Sequence, residues 1–331
     1  MEALVHSWGM SRFSEGMAMQ WLTRTFGGKS DHGSQQSDDA DDSFMRLRKW
    51  ILMQLNHQRV PDGMSHWQRG CPEMIPSLRA QPQWDCEAFP WIATLERMFP
   101  VIKEELLALK HKQGFQPYRA PTWASSIRAN DGLGSVGHDA GDWNVFYLFL
   151  HNVDFSTNRA LCPNTVAVIK SISSHYDHAF FSALAPQTHI KKHHGPTNKK
   201  LRCHLPLIVP KDKCRLRVGD ETIYVQEGKC FVFNDSFEHE AWNDDPHHSR
   251  IVLIVDVWHP DLSAQEQKFF SFVRNSQLRM DKKQATNHEE STTDNNNNNN
   301  GTSDSNDNFY KIIQDASQVS HGAASHAAIW R

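Results

Sequence analysis

The segment HHGPTNKKLRCHLPLIVP, residues 193–210, brings His193, His194 and His204 close together ahead of an apolar, strand-like run. Neutral imidazole is a common ligand for first-row metals. Gly195 and Pro196 stop regular strand pairing, which puts His193 and His194 at a strand-to-loop junction. A fourth histidine of interest, His239, lies in NDSFEHEAW. Mononuclear iron oxygenases hold their metal with two histidines and a carboxylate on one face. That carboxylate normally lies two residues after the first histidine, and here the slot is Gly195. By spacing alone, a metal site and a pair of structural histidines both stay open.

The flanking carboxylates do not repair the pattern. In an extended FEHEAW segment, residues two apart share a face. His239, Phe237 and Asp235 would point one way, and Glu238 and Glu240 the other. Asp235 has the correct parity, but four residues of strand span about 13 Å. It is read as a structural residue that closes a turn. No two of the six cysteines form C-x-x-C, which removes the zinc-ribbon and thioredoxin motifs. Two histidines without a nearby cysteine or carboxylate also make a poor zinc site.

Any such site needs a scaffold. From about residue 178 to 259 the segments are short and strand-like: HAFFSALAP, KLRCHLPLIVP, CRLRV, TIYVQ, CFVFND, FEHEAW and SRIVLIVDVWHP. Gly219-Asp220-Glu221 separates CRLRV from TIYVQ as a hairpin turn. Many short strands with turn residues between them point to a sandwich or jelly roll. In KLRCHLPL, parity puts Arg202, His204 and Pro206 on one face, and a proline there implies an edge or a bulge. Ahead of these strands, SFMRLRKWILMQLNH (43–57) has helical spacing. So do Ile92, Leu95, Phe99, Ile102, Leu106 and Leu109, as one helix or two broken near Pro100. PNTVAVIKSI reads as a short helix capped by Asn164.

These patterns divide the chain of 331 residues. Residues 1–42 form an N-terminal segment and a flexible linker; 43–120 form a helical region. Residues 121–265 form a jelly-roll domain, and 266–331 a helix plus a disordered Asn-rich segment that includes TTDNNNNNNGTSDSNDN. The net charge of −3 excludes a strong basic field for nucleic acid. No run of about 18 apolar residues predicts a transmembrane span. The N-terminus is a poor secretory signal, and the scattered cysteines favour a reducing compartment. Cytoplasmic placement is the default expectation, with organellar import left open.

The blocks HHGPTNKKLRCHLPLIVP, VQEGKCFVFNDSFEHEAWND and RIVLIVDVWHPDL, in that order, closely resemble the aspartyl/asparaginyl β-hydroxylase family. The likeness runs over roughly residues 80–263. It implies a mainly β core, a double-stranded β-helix (jelly roll, cupin-like) with flanking α-helices. It also implies an Fe(II)- and 2-oxoglutarate-dependent dioxygenase that uses O₂. The family holds iron with two histidines and lacks the carboxylate, so Gly195 is the family's own pattern. By resemblance His193 and His239 are the iron ligands, and His194 is a neighbour. Arg250 would pair with the distal carboxylate of 2-oxoglutarate, a suitable task for a bidentate guanidinium. His204 and Ser182 would help to hold the cosubstrate. Arg202 would contact the acidic side chain of the substrate, and Asn198 and Asp235 would be structural.

The chain departs from the family where Lys191-Lys192 replace a frequent Trp-Pro before the first ligand. The implied acceptor is a protein or peptide carrying Asp or Asn, hydroxylated at its β-carbon. Two alternatives remain: hydroxylation of a lipid or small molecule, as in related bacterial members, and a non-catalytic jelly-roll binding module.

Overall fold

The computed structural model describes residues 38–55, 61, 63–112, 114–121, 125, 127–129, 133–275, 309–317 and 329–330. The expectations for residues 1–37 and for the Asn-rich tract lie outside them. Two compact units form: residues 1–64, 73–79 and 259–308 in one, and 65–72, 80–258 and 309–331 in the other.

In the first unit, helix α1 (Asp38–Leu55) begins before the expected 43. Its first turn takes in acidic residues of the expected linker, which favour a helix N-terminus. Trp50 packs edge-on against Phe269 and Phe270, and Arg46 donates to both oxygens of Glu266 at 2.9 Å.

The second unit holds the β core. Its larger sheet has the order β1-β9-β6-β11-β4-β3-β2 and its smaller one β5-β10-β7-β8, with antiparallel pairing throughout. The strands are β1 (Gln83–Trp84), β2 (Gln116–Pro117), β3 (Trp143–Leu150), β4 (His175–Leu184), β5 (Thr188–His193) and β6 (Lys200–Ile208). They continue with β7 (Cys214–Val218), β8 (Glu221–Tyr224), β9 (Phe231–Phe233), β10 (His239–Asn243) and β11 (Arg250–Trp258). The larger sheet thus begins at Gln83, ahead of the expected domain edge at 121.

Side-chain alternation builds two cores on this framework. Leu201, Cys203, Leu205 and Leu207 of β6, with Ile251, Leu253, Val255 and Val257 of β11, face an outer cluster. Helices α2 (Trp91–Arg97), α3 (Phe99–Ala108) and α5 (Pro163–Ser171) supply the other half of that cluster. Val145, Phe180, Val252 and Ile254 of the larger sheet face Ile190, Leu216, Val218 and Ala241 of the smaller one. That second cluster is the interior of a jelly roll.

The helical stretch 91–108 does break, at Met98, and Pro100 enters the first turn of α3, where its missing N–H is harmless. A short helix, α4 (Ser156–Leu161), precedes α5. Asn164 is not the cap of α5. Pro163 takes the first helical position, and the Glu105 carboxylate from α3 accepts from the backbone N–H of Asn164 and Thr165, both at 2.8 Å. Gly219 (φ +60°) makes the β7–β8 turn, as expected. Pro206 lies beyond the end of β9, at a register shift between β6 and β11, so it marks a bulge. Residues 264–275 form helix α6 of the first unit. Helix α7 (Phe309–Ala316) buries Phe309 and Ile313 in the interior cluster of the second.

Candidate functional site

The smaller sheet supplies the histidine pair. β5 ends at His193 and β10 begins at His239, and the two are directly paired across the strands. Their rings lie 4.1 Å apart, centroid to centroid. The Nδ1 of His193 is 2.8 Å from the carbonyl of Lys191, and the Nδ1 of His239 is 2.9 Å from that of Phe237. A carbonyl only accepts, so each Nδ1 carries its proton and each Nε2 presents a lone pair. Burial pulls His193 down to about 4, and burial plus the His193 charge holds His239 well below its usual range. Both rings are therefore neutral near pH 7, the form that binds a metal.

Their neighbours point in different directions. His194 turns away: its Nε2 is 3.1 Å from the carbonyl of Trp67. Glu238 and Glu240 point outward to Arg217. The segment around Asp235 is a turn, as expected of a residue that closes one, and the strand in FEHEAW begins only at His239. Asn234 Oδ1 accepts from the N–H and hydroxyl of Ser236 at 3.1 and 2.6 Å, and the chain turns before β10. The turn lays the Asp235 carboxylate against Gly195. A Cβ at Gly195 would stand 2.4 Å from Asp235 Cγ. The slot of the missing ligand is thus filled by a carboxylate from elsewhere in the chain. Among the described residues no group of three or more His, Cys, Asp or Glu side chains is placed to hold a metal.

The larger sheet supplies the polar groups opposite. Phe233 packs against both His239 (5.6 Å) and His204 (5.2 Å). Trp143 lies 6.4 Å from His193 and donates its indole N–H to Ser182 Oγ at 3.0 Å. The Ser182 hydroxyl proton remains available for a ligand. His204 is buried, and neither ring nitrogen has a hydrogen-bond partner. Burial first and Arg250 second hold it neutral. Arg250 is 3% exposed, its Nε has no partner, and burial lowers the guanidinium to about 10, still cationic at pH 7. Buried polar groups are almost always satisfied, so unpartnered ones on the barrel's inner face mark a candidate place for a ligand.

Arg202 is different. It forks onto Asp256, Nε to Oδ1 at 2.8 Å and Nη2 to Oδ2 at 3.0 Å, and lies 3.5 Å from Asp235. Lys200 joins the two acids at 2.6 Å (Asp235) and 2.9 Å (Asp256), and His178 reaches Asp256 at 2.7 Å. Burial would raise the Asp256 carboxyl, but Arg202, Lys200 and His178 hold it well below its usual range. Sequence reading missed Asp256. Its signal was one charge inside the apolar run IVLIVDVW. It also missed the Tyr118–Trp143 stack (3.8 Å) beside His193.

The Aspartyl/Asparaginyl beta-hydroxylase family profile matches residues 96–260. Human aspartyl/asparaginyl beta-hydroxylase is 33% identical over 232 residues, covering 66% of this chain and 28% of the human protein. Ornithine lipid ester-linked acyl 2-hydroxylase of Rhizobium tropici is 36% identical over 181 residues, covering 54% of this chain and 61% of that one. Human aspartate beta-hydroxylase domain-containing protein 2 is 37% identical over 141 residues, covering 40% and 38%. The chain therefore spans little more than a quarter of the human hydroxylase.

Proposed function

Since the chain belongs to the aspartyl/asparaginyl β-hydroxylase family, we propose that its barrel is an Fe(II)- and 2-oxoglutarate-dependent dioxygenase. The favoured acceptor is the β-carbon of an Asp or Asn residue in a protein or peptide. One observation carries this reading. Two neutral histidines, each fixed with Nε2 free, line the same barrel interior as a buried guanidinium that no carboxylate among the described residues pairs with.

His193 and His239 would hold the iron through Nε2, with the carbonyls of Lys191 and Phe237 fixing ring orientation and tautomer. Arg250 would take the distal carboxylate of 2-oxoglutarate, satisfying a charge that is otherwise buried alone. The Ser182 hydroxyl and His204 stand ready to hydrogen-bond the same cosubstrate. The Phe231 and Phe233 rings beside His204 keep that pocket dry, which strengthens each charge-assisted bond. When bound, the iron supplies the oxidation: 2-oxoglutarate loses CO₂ and becomes succinate as O₂ gives one oxygen atom to it and one to the acceptor carbon.

A second acceptor class is favoured by Arg202. Its guanidinium is already neutralised by Asp256, so it offers little net charge to an acidic side chain. A neutral acceptor, an asparagine amide or a lipid acyl chain, fits that balance better. The deciding experiment measures succinate released from 2-oxoglutarate with Fe(II) and O₂, against matched Asp and Asn peptides and an acyl lipid. The proposed reading expects acceptor-stimulated succinate that is lost in His193→Ala and His239→Ala. Equal succinate in wild type and both variants would overturn it.

A further inference from the structure

Helix α7 (Phe309–Ala316) follows residues 276–308, which include the run Asn295–Asn300, yet it belongs to the same compact unit as the barrel. Phe309 (3% exposed) and Ile313 (1%) are buried in the interior cluster with Trp143, Val145 and Tyr147. Gln116 of β2, itself 1% exposed, donates its amide to the carbonyl of Ile313 at 3.0 Å. The Tyr310 ring lies 6.3 Å from that of His151, just past β3. A four-stranded sheet cannot face all of a seven-stranded one. At the β2–β3 end, α7 takes the place on the inner face that the smaller sheet leaves open.

That end adjoins the site. Gln116, which holds the Ile313 carbonyl, lies two residues before Tyr118, whose backbone N–H donates to the Trp143 carbonyl at 3.0 Å. Tyr118 stacks on Trp143 at 3.8 Å, and Trp143 lies 6.4 Å from His193. From α7 to the proposed metal ligand the path therefore runs Ile313, Gln116, Tyr118, Trp143, His193.

We propose that α7 is a cis-acting cover on the acceptor side of the site: docked, it walls the approach beside Tyr118 and Tyr147, and its release admits a bulky acceptor. The word acceptor rests on the dioxygenase reading; the cover itself does not. An isolated eight-residue helix has no stability in water, so α7 is helical because it is docked. The buried Phe309 and Ile313, the partly buried Tyr310 and Ile312 and the Gln116 hydrogen bond hold it, a small anchor that puts its opening among the lower-energy local motions of the fold. The connecting chain keeps it at high effective concentration, so release is reversible.

The test uses the full chain carrying Tyr118→Cys, with and without Ile313→Asp. The rate at which a polymer-linked maleimide modifies position 118 is read by peptide mass spectrometry, with Cys86, half-buried on the outer cluster, as internal control. Ile313→Asp buries a charge under α7 and is expected to speed modification at 118 roughly tenfold, the shift expected from loss of a docked population, while Cys86 keeps its rate. Gln116→Ala, which removes only the buried bond to α7, is expected to give a smaller increase of the same sign and serves if Ile313→Asp does not fold. Unchanged rates at 118, or equal acceleration at Cys86, would overturn the cover. A labelling contrast with no succinate from wild type under any acceptor would sink the dioxygenase reading and leave the cover standing. Succinate formation without the contrast would sink the cover alone.

Discussion

Arg202 and Arg250 sit on adjacent strands of the larger sheet, both face the barrel interior, and both are almost fully buried. Their surroundings differ completely. Arg202 has Asp256 in a two-pronged pair, with Lys200, Asp235 and His178 closing the network. Arg250 acts on His204, whose two nitrogens are unpartnered, and has no carboxylate partner among the described residues. A satisfied cluster holds a fold together, because every charge has its counter-charge in place. An unsatisfied one destabilises the empty protein and is explained by what it binds. Two buried arginines with one charge and different neighbours therefore belong to different tasks.

The largest effect is expected in the satisfied cluster. Asp256→Asn leaves Lys200 and Arg202 short of one negative charge, and breaking a buried pair this way destabilises by about 3–5 kcal/mol. Urea unfolding would show it, together with a small effect on 2-oxoglutarate binding. Arg250→Met should do the reverse. It removes a lone buried charge, so stability without cosubstrate is expected to hold or rise. Affinity for 2-oxoglutarate falls roughly a hundredfold, since two charge-assisted hydrogen bonds are lost. Calorimetry on both variants breaks the comparison if their effects are the same. Gly195→Ala lies between the regions: its methyl would collide with the Asp235 carboxylate, and overpacking of this kind costs about 1–3 kcal/mol, read as a lower melting temperature.

Acid separates the buried histidines from Asp256. His175 is lowered by burial from 6.5 to about 4, and burial also holds His204 and His239 well below 6.5. A histidine with a depressed folded pKa takes its proton in the unfolded state first. Its stability contribution is complete above pH 6.5 and is lost as the pH falls toward 4, at up to about 1.4 kcal/mol per pH unit for each such group. Asp256, lowered below 3.8, holds its contribution above that value and loses it only as the pH falls lower still. Urea midpoints measured from pH 7 to 3 should fall first through the histidines. A flat profile down to pH 4 would contradict their burial as neutral groups.

Much of this was legible in the sequence. Strand parity alone put Arg202 and His204 on one face, and the histidine pair followed from the family blocks. The turn that Asp235 closes was legible, since Asn-Asp-Ser is a turn signal with a side-chain mechanism, although FEHEAW alternates like a strand before its pairing begins at His239. The partners of Arg202 were hidden. Asp235 and Asp256 are far from it in sequence, and only strand pairing brings them together. A lone aspartate in an apolar strand announces that a cation must meet it, but not which one. Helix α7 was left open because eight residues after an asparagine run carry too little periodicity to fix a docking site.

The central claim is that His193 and His239 hold a metal whose cosubstrate Arg250 receives. The most direct measurement is an anaerobic calorimetric titration of 2-oxoglutarate into the full chain loaded with one equivalent of Fe(II). Wild type is expected to bind one cosubstrate per chain, and His239→Ala to lose iron-dependent binding by more than about a hundredfold, beyond the loss typical of outer-shell partners. Equal iron-dependent affinity in wild type, His193→Ala and His239→Ala would contradict the claim.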